Sequence, residues 1–237
     1  PTGSGKSTQV PQILYKNNVN RDGAILILQP RRIAARLLAL RVSRELGVRL
    51  GDIVGYQVRF EDVSSENTRI KYVTEGILLR ILLSNPTLDG VKVVIFDEFH
   101  ERHLYGDISL ARILLLQKTK RPDLKIIVMS ATLNIANLRE YLTPCGEISC
   151  NGRLYPVGVE YFDQPKLPMW EAAALAFSKY RRCGDVGDVL VFMPGGYEIR
   201  KTIEELERLN ESRGYLILPL YGDLPAELQD AAVSQYD

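Results

Sequence analysis

Cysteine, histidine and tryptophan are scarce in this chain, and so is net charge. Cys145, Cys150 and Cys183 are odd in number and none stands in a CxxC pair. That excludes a closed disulfide framework and a zinc site of paired-cysteine spacing, and free thiols in a reducing compartment are the expectation. No apolar run reaches the length of a bilayer and no basic-then-apolar leader precedes a cleavage site, so a cytoplasmic protein without a membrane partner is expected. Low-complexity tracts are absent too. The formal net charge is only +1, which by itself argues neither for nor against a polyanionic partner. Its distribution is uneven: residues 1–80 carry 13 Lys/Arg against 7 Asp/Glu, whereas residues 81–237 carry 17 against 22. A basic first third hints at a polyanion. The chain also lacks an initiator methionine and starts at Pro1 within a loop-like stretch, so a fragment is expected.

What is present begins at that loop. Residues 1–8 read Pro-Thr-Gly-Ser-Gly-Lys-Ser-Thr, matching all but the first position of G-x-x-x-x-G-K-[ST]. Gly3 and Gly5 would let backbone N–H groups of Thr2, Ser4 and their neighbours through Thr8 curl round phosphate oxygens. Lys6 would reach the β and γ phosphates, and the Ser7 hydroxyl would ligate Mg²⁺.

Residues 23–28 read as a buried strand ending at Gln29-Pro30-Arg31-Arg32, with a helix continuing to about Leu46. Pro30 suits a helix start. Arg31 and Arg32 do not, because cations in a first turn oppose the helix dipole, and a bound phosphate reverses that sign. Residues 55–60 and 68–73 read as strands around a polar turn at 64–67. Thr74-Glu75-Gly76 then opens a helix over 77–84, with Thr74 as N-cap and Gly76 leaving room for another backbone to approach.

The most informative stretch is 91–103. Val91-Lys92-Val93-Val94-Ile95-Phe96 is apolar enough for a strand covered on both faces. It breaks into Asp97-Glu98-Phe99-His100-Glu101-Arg102-His103, where the carboxyl end of a parallel strand builds a site. Adjacent residues at a strand end diverge, which assigns Asp97 to the metal and leaves Glu98 to orient or deprotonate the attacking water. His100 could relay nucleotide state to a neighbouring surface. A helix over 107–118 and a strand over 124–129 follow, the strand ending in Ser130-Ala131-Thr132 beside those carboxylates. Turn residues punctuate 144–156, which puts a junction near Gly152. Beyond it the grammar repeats: a strand over 188–193 ending in Pro194-Gly195-Gly196, a helix over 197–210, a strand over 215–221, and a helix begun by Leu224-Pro225.

In this order, Thr-Gly-Ser-Gly-Lys-Ser (2–7), Gln-Pro-Arg-Arg (29–32), Thr-Glu-Gly (74–76), Asp-Glu-Phe-His (97–100) and Ser-Ala-Thr (130–132) resemble motifs I, Ia, Ib, II and III of superfamily 2 helicases, specifically the DEAH-box/RHA group. Phe192-Met193-Pro194-Gly195 resembles motif IV. Residues 97–102 together with Leu220-Tyr221-Gly222-Asp223-Leu224 are most similar to the bacterial HrpB-type branch. The resemblance implies an α/β fold of two RecA-like domains, a P-loop domain with a mostly parallel sheet over 1–152 and an incomplete second domain over 153–237. It implies ATP and Mg²⁺ as cofactors and a single strand of RNA or DNA as partner, RNA ahead of DNA, and it implies no particular oligomer. By the same resemblance Arg31, Arg32, Thr74, Gly76 and Gly195 contact the nucleic acid, while Ser130 and Thr132 couple the nucleotide site to domain motion. Two positions depart from the pattern: Phe99 stands for alanine in motif II, and Gly222-Asp223 replaces a hydroxyl residue in the second-domain loop. No arginine-rich motif VI appears before Asp237, so the chain by itself is expected to bind nucleotide poorly and hydrolyse it little. The leading expectation is an ATP-dependent helicase or translocase. A nucleotide-gated clamp that grips RNA without unwinding it keeps the same motifs, and a small-molecule phosphotransferase is the third reading.

Overall fold

The computed structural model describes residues 4–130, 135–149, 156–162, 166–184 and 187–233, with the backbone alone described over 135–137. The chain divides into two compact units, Pro1–Tyr155 and Pro156–Asp237.

In the first unit, β1 (Ala24–Gln29), β2 (Val54–Val58), β3 (Glu61–Val63), β4 (Ile70–Thr74), β5 (Val91–Phe96) and β6 (Lys125–Val128) form one sheet of order β3-β2-β4-β1-β5-β6. Every pairing is parallel except β2 with β3. Among the described residues five α-helices accompany it: α1 (Lys6–Lys16), α2 (Arg32–Leu46), α3 (Glu75–Ser84), α4 (Leu104–Thr119) and α5 (Ile135–Leu142). Alternation of side chains sorts the central strands onto two cores. Ile25, Ile27, Val93 and Ile95 pack with Ala35, Ala39 and Val42 of α2 and with Val10 and Leu14 of α1. Leu26, Leu28, Val94 and Phe96 pack with Leu78 of α3 and with Leu110 and Ile113 of α4. Both faces being covered, the strands need no polar side, which is why residues 24–28 and 93–96 read as apolar runs.

Most expected elements lie within a few residues of their places. The exception in this unit is the hairpin. The chain turns back at Arg59-Phe60, where Phe60 takes a φ of +70°, and β3 pairs Glu61 with Val58. The polar stretch 64–67 connects β3 to β4 instead. A turn of two non-glycine residues carries no sequence signal of the kind that Asn-Gly supplies. Gly55 is needed in this hairpin, since a Cβ there would stand 2.5 Å from the Val63 carbonyl oxygen.

The second unit has α6 (Met169–Arg182), α7 (Gly196–Glu207) and α8 (Ala226–Val233), and a small core of Ala174, Phe177 and Leu206 with Tyr215 and Ile217 against it. The strands expected over 188–193 and 215–221 are not formed: no strand occurs among the described residues of this unit. Residues 215–220 keep a period-two pattern, alternately half-buried and exposed. An extended backbone alternates its side chains in this way by itself, but a strand also needs a neighbour to complete its ladder.

Candidate nucleotide and nucleic-acid site

The carboxyl ends of the parallel strands share one edge of the sheet. Register puts Gln29 beside Thr74, and Leu28 beside Phe96, which in turn pairs with Val128. The residues following β1, β4, β5 and β6 are therefore neighbours: Arg31 and Arg32, Glu75 and Gly76, Asp97 and Glu98, and Ser130. This is the edge where ligands bind in open α/β sheets.

Asp97 is 5% exposed and both its carboxylate oxygens are engaged. Gln29, itself buried, donates Nε2–H to Oδ2 at 2.5 Å, and the Glu98 backbone N–H donates to Oδ1 at 2.9 Å. Further backbone bonds lock the loop, from Asp97 N–H to the Leu28 carbonyl and from Phe99 N–H to the Met129 carbonyl. Glu98 adopts a left-handed backbone, φ +49° and ψ +35°, and starts the short 3₁₀ turn Phe99–Glu101. A non-glycine residue in that region is uncommon and concentrates at functional sites. The Glu98 side chain lies beside His100, whose Nδ1 is 3.3 Å from Glu98 Oε2. That Nδ1 is buried without a hydrogen bond of acceptable geometry among the described residues.

The glycine-rich loop leads into α1 through Gly5, which is left-handed at φ +77° and whose carbonyl accepts from the backbone N–H groups of Thr8 and Gln9. Lys6 Nζ donates to Ser4 Oγ at 3.2 Å and Thr8 Oγ1 donates to the Gly5 carbonyl. Thr2 and Gly3 lie outside the described residues. No acidic residue stands in the first turn of α1. Pro11 sits inside this helix and has no N–H to give the Ser7 carbonyl four residues back. The Tyr72 hydroxyl of β4 fills that gap, donating to the Ser7 carbonyl oxygen at 2.8 Å. Burial, then the charges of Asp97 and Glu45, push the Tyr72 phenol up, so it remains a donor. The middle of α1 is tied to α2 by Glu45, which accepts from Gln12 at 2.6 Å and from Gln9 at 2.9 Å.

Arg31 is the N-cap of α2, with its side chain 70% exposed and Nη2 3.3 Å from Glu101 Oε1. Arg32 is exposed. Thr74 occupies the N-cap position of α3 but makes no capping hydrogen bond, contrary to the plain structural reason for its presence. A Cβ on Gly76 would meet nothing within 4 Å, so the close approach that a glycine permits is not made by this unit itself. In the second unit Gly195 is the N-cap of α7 with an extended backbone, and a Cβ there would stand 3.1 Å from Glu198 Oε2. Ser130 lies two residues beyond β6, and Thr132 lies outside the described residues. Sequence reasoning missed the parts played by Gln29, Tyr72, Glu75, Glu101 and His103. The proline inside α1 was a usable signal, because it orphans a carbonyl that something off the helix must satisfy.

A parallel sheet with a glycine-rich loop entering a helix on one side, and a buried carboxylate at the end of a strand, defines a RecA-like P-loop domain. The chain belongs to the DEAD/DEAH box helicase family, whose model it matches over residues 1–141. It is 40% identical to the ATP-dependent RNA helicase DHX33 of Mus musculus over 238 residues, covering 96% of this chain and 34% of the relative. The Homo sapiens DHX33 is likewise 40% identical, over 234 residues, covering 94% of this chain and 33% of that protein. The crystal structure of the Escherichia coli DEAH/RHA helicase HrpB superposes with a TM-score of 0.86 at 39% identity, over 100% of this chain and 30% of that one. The chain thus spans about a third of the length of the curated relatives it matches. None of its described helices is long and apolar enough to cross a membrane.

Proposed function

We propose that the protein containing this chain is an ATP-dependent RNA helicase or translocase, in which hydrolysis at the sheet edge drives two RecA-like domains, 1–152 and 153 onward, along a single strand. The observation that carries the reading is the Gln29–Asp97 hydrogen bond. It joins the strand that delivers Arg31 and Arg32 to the carboxylate of the nucleotide site, so the two sites share one buried link. The names of the relatives favour RNA over DNA.

In this reading Thr2, Gly3, Ser4, Gly5 and Thr8 cradle phosphate through the backbone and Lys6 neutralises the β and γ oxygens. Ser7 and Asp97 suit Mg²⁺, which takes a hydroxyl and one or two carboxylates and fills the rest of its shell with phosphate and water. When bound, the metal would neutralise charge developing between the phosphates. Glu98, free of Asp97, orients the water and accepts its proton. His100, whose buried Nδ1 faces Glu98, senses that carboxylate, and Ser130 and Thr132 pass the change on. Arg31, Arg32, Thr74, Gly76 and Gly195 hold the strand's backbone.

The test is the ATPase rate of the full-length protein with and without single-stranded RNA or DNA, together with strand displacement on a tailed duplex. Stimulation and displacement are expected. Nucleotide-dependent binding without displacement identifies the clamp, and no stimulation by either polymer counts against the helicase. Glu98→Gln should lower kcat by at least about a hundredfold while nucleotide still binds.

A further inference from the structure

Three side chains that this mechanism does not use, Glu75, Glu101 and His103, connect Arg31 with the loops it depends on. Arg31 Nη2 lies 3.3 Å from Glu101 Oε1. The other oxygen of Glu101 is 3.8 Å from His103 Nε2, and His103 Nδ1 is 3.2 Å from Glu75 Oε1. Arg31 starts α2, Glu101 and His103 follow the Asp97-Glu98 turn, and Glu75 stands between Thr74 and Gly76. The bridge therefore spans all three strand ends.

We propose that Glu101 and His103 are positioning residues that couple strand binding to the catalytic turn: Glu101 holds Arg31 while no nucleic acid is bound, and phosphate, by taking Arg31, releases Glu101 to His103. This rests on the nucleic-acid role of Arg31 given above.

The geometry supports each half of the exchange. Arg31 is 70% exposed, and an ion pair open to water is weak, whereas phosphate offers the guanidinium paired charge-assisted bonds. Glu101 is the less exposed partner and already has the imidazole on its far side. Its own N–H donates to the Glu98 carbonyl at 3.0 Å, so a shift of Glu101 is felt by the backbone of the proposed catalytic base. His103 in turn is anchored on Glu75, whose carboxyl burial pushes up and His103 pulls back down. Gly106 of α4 makes room for this anchor: a Cβ there would stand 3.0 Å from Glu75 Oε1. The other charged groups around His103 are Arg102 and Asp107, which are 3.0 Å apart and paired with each other.

The full-length protein is tested with a fluorescent single-stranded RNA oligomer and a steady-state ATPase assay. Glu101→Gln should bind the oligomer about threefold more tightly without nucleotide, the size of losing an exposed ion pair. It should keep its RNA-free ATPase rate within about twofold and lose most of the stimulation by RNA. His103→Gln should also lose stimulation, with the KM for ATP unchanged. If both variants keep wild-type binding and stimulation, or lower the RNA-free and stimulated rates by one common factor, the coupling does not exist and the cluster only supports the fold. A wild-type protein with no response to RNA would instead overturn the functional reading, and this inference with it.

Discussion

A single hydroxyl decides how the phosphate loop is held. Pro11 leaves the Ser7 carbonyl without its helical donor, and Tyr72 supplies the missing bond from the neighbouring strand. A buried carbonyl stripped of its partner costs about 1–3 kcal/mol and the Ser7 carbonyl is half-buried, so Tyr72→Phe should destabilise the unit by about 1–2 kcal/mol although it removes only one atom. The helix itself offers the control. Pro11→Ala restores an N–H aimed at Ser7, and in that background Tyr72→Phe should cost less than about 1 kcal/mol. A thermodynamic cycle by urea unfolding should then give a coupling of about 1–2 kcal/mol between residues 11 and 72. Additive effects would mean that the tyrosine is held by its ring alone. Gln29 works by similar logic on Asp97: an amide can only donate from Nε2, so it fixes which carboxylate oxygen is occupied and leaves the remaining lone pairs of the group for a cation.

At the level of elements, the hairpin β2–β3 depends on one close backbone approach. Gly55→Ala would bring a methyl to 2.5 Å from the Val63 carbonyl oxygen and against the Ser64 backbone, neither of which can swing away like a side chain. The expected cost is about 1–3 kcal/mol, visible as a lower Tm of the first unit. How much of the fold was legible follows from where its determinants lie. Strands β1 and β5 were plain because coverage on both faces makes residues 24–28 and 93–96 apolar, and α2 was plain because Gly47 ends it in a left-handed cap. The turn at Arg59-Phe60 was not, because its geometry is imposed by pairing rather than by turn residues. Residues 188–193 and 215–221 have strand-like patterns without strand pairing, since a ladder is a property of two segments and a pattern belongs to one. The site divides the same way. Gly5, Lys6, Ser7, Asp97 and Glu98 could be picked out from spacing, whereas the Gln29–Asp97 and Arg31–Glu101 contacts join residues about seventy positions apart and come only from sheet register.

Over the whole chain, the opposed charge of its two parts matters more than the net +1. Basic residues are concentrated in the first eighty positions, where Arg31 and Arg32 lie at the ligand edge of the sheet, and the acidic surplus lies beyond. A polyanionic strand would then be drawn to one edge rather than to the surface at large, with counterions released where arginines meet phosphates. Salt titration of the full-length protein reads this directly. Replacing Arg31 and Arg32 together by alanine should weaken RNA binding for all sequences alike and make the slope of log affinity against log salt shallower by about one to two. The RNA-free ATPase rate should hold, because neither side chain is needed to grip the nucleotide. An unchanged slope would move the strand off this edge and leave Glu101 as the only partner that Arg31 needs.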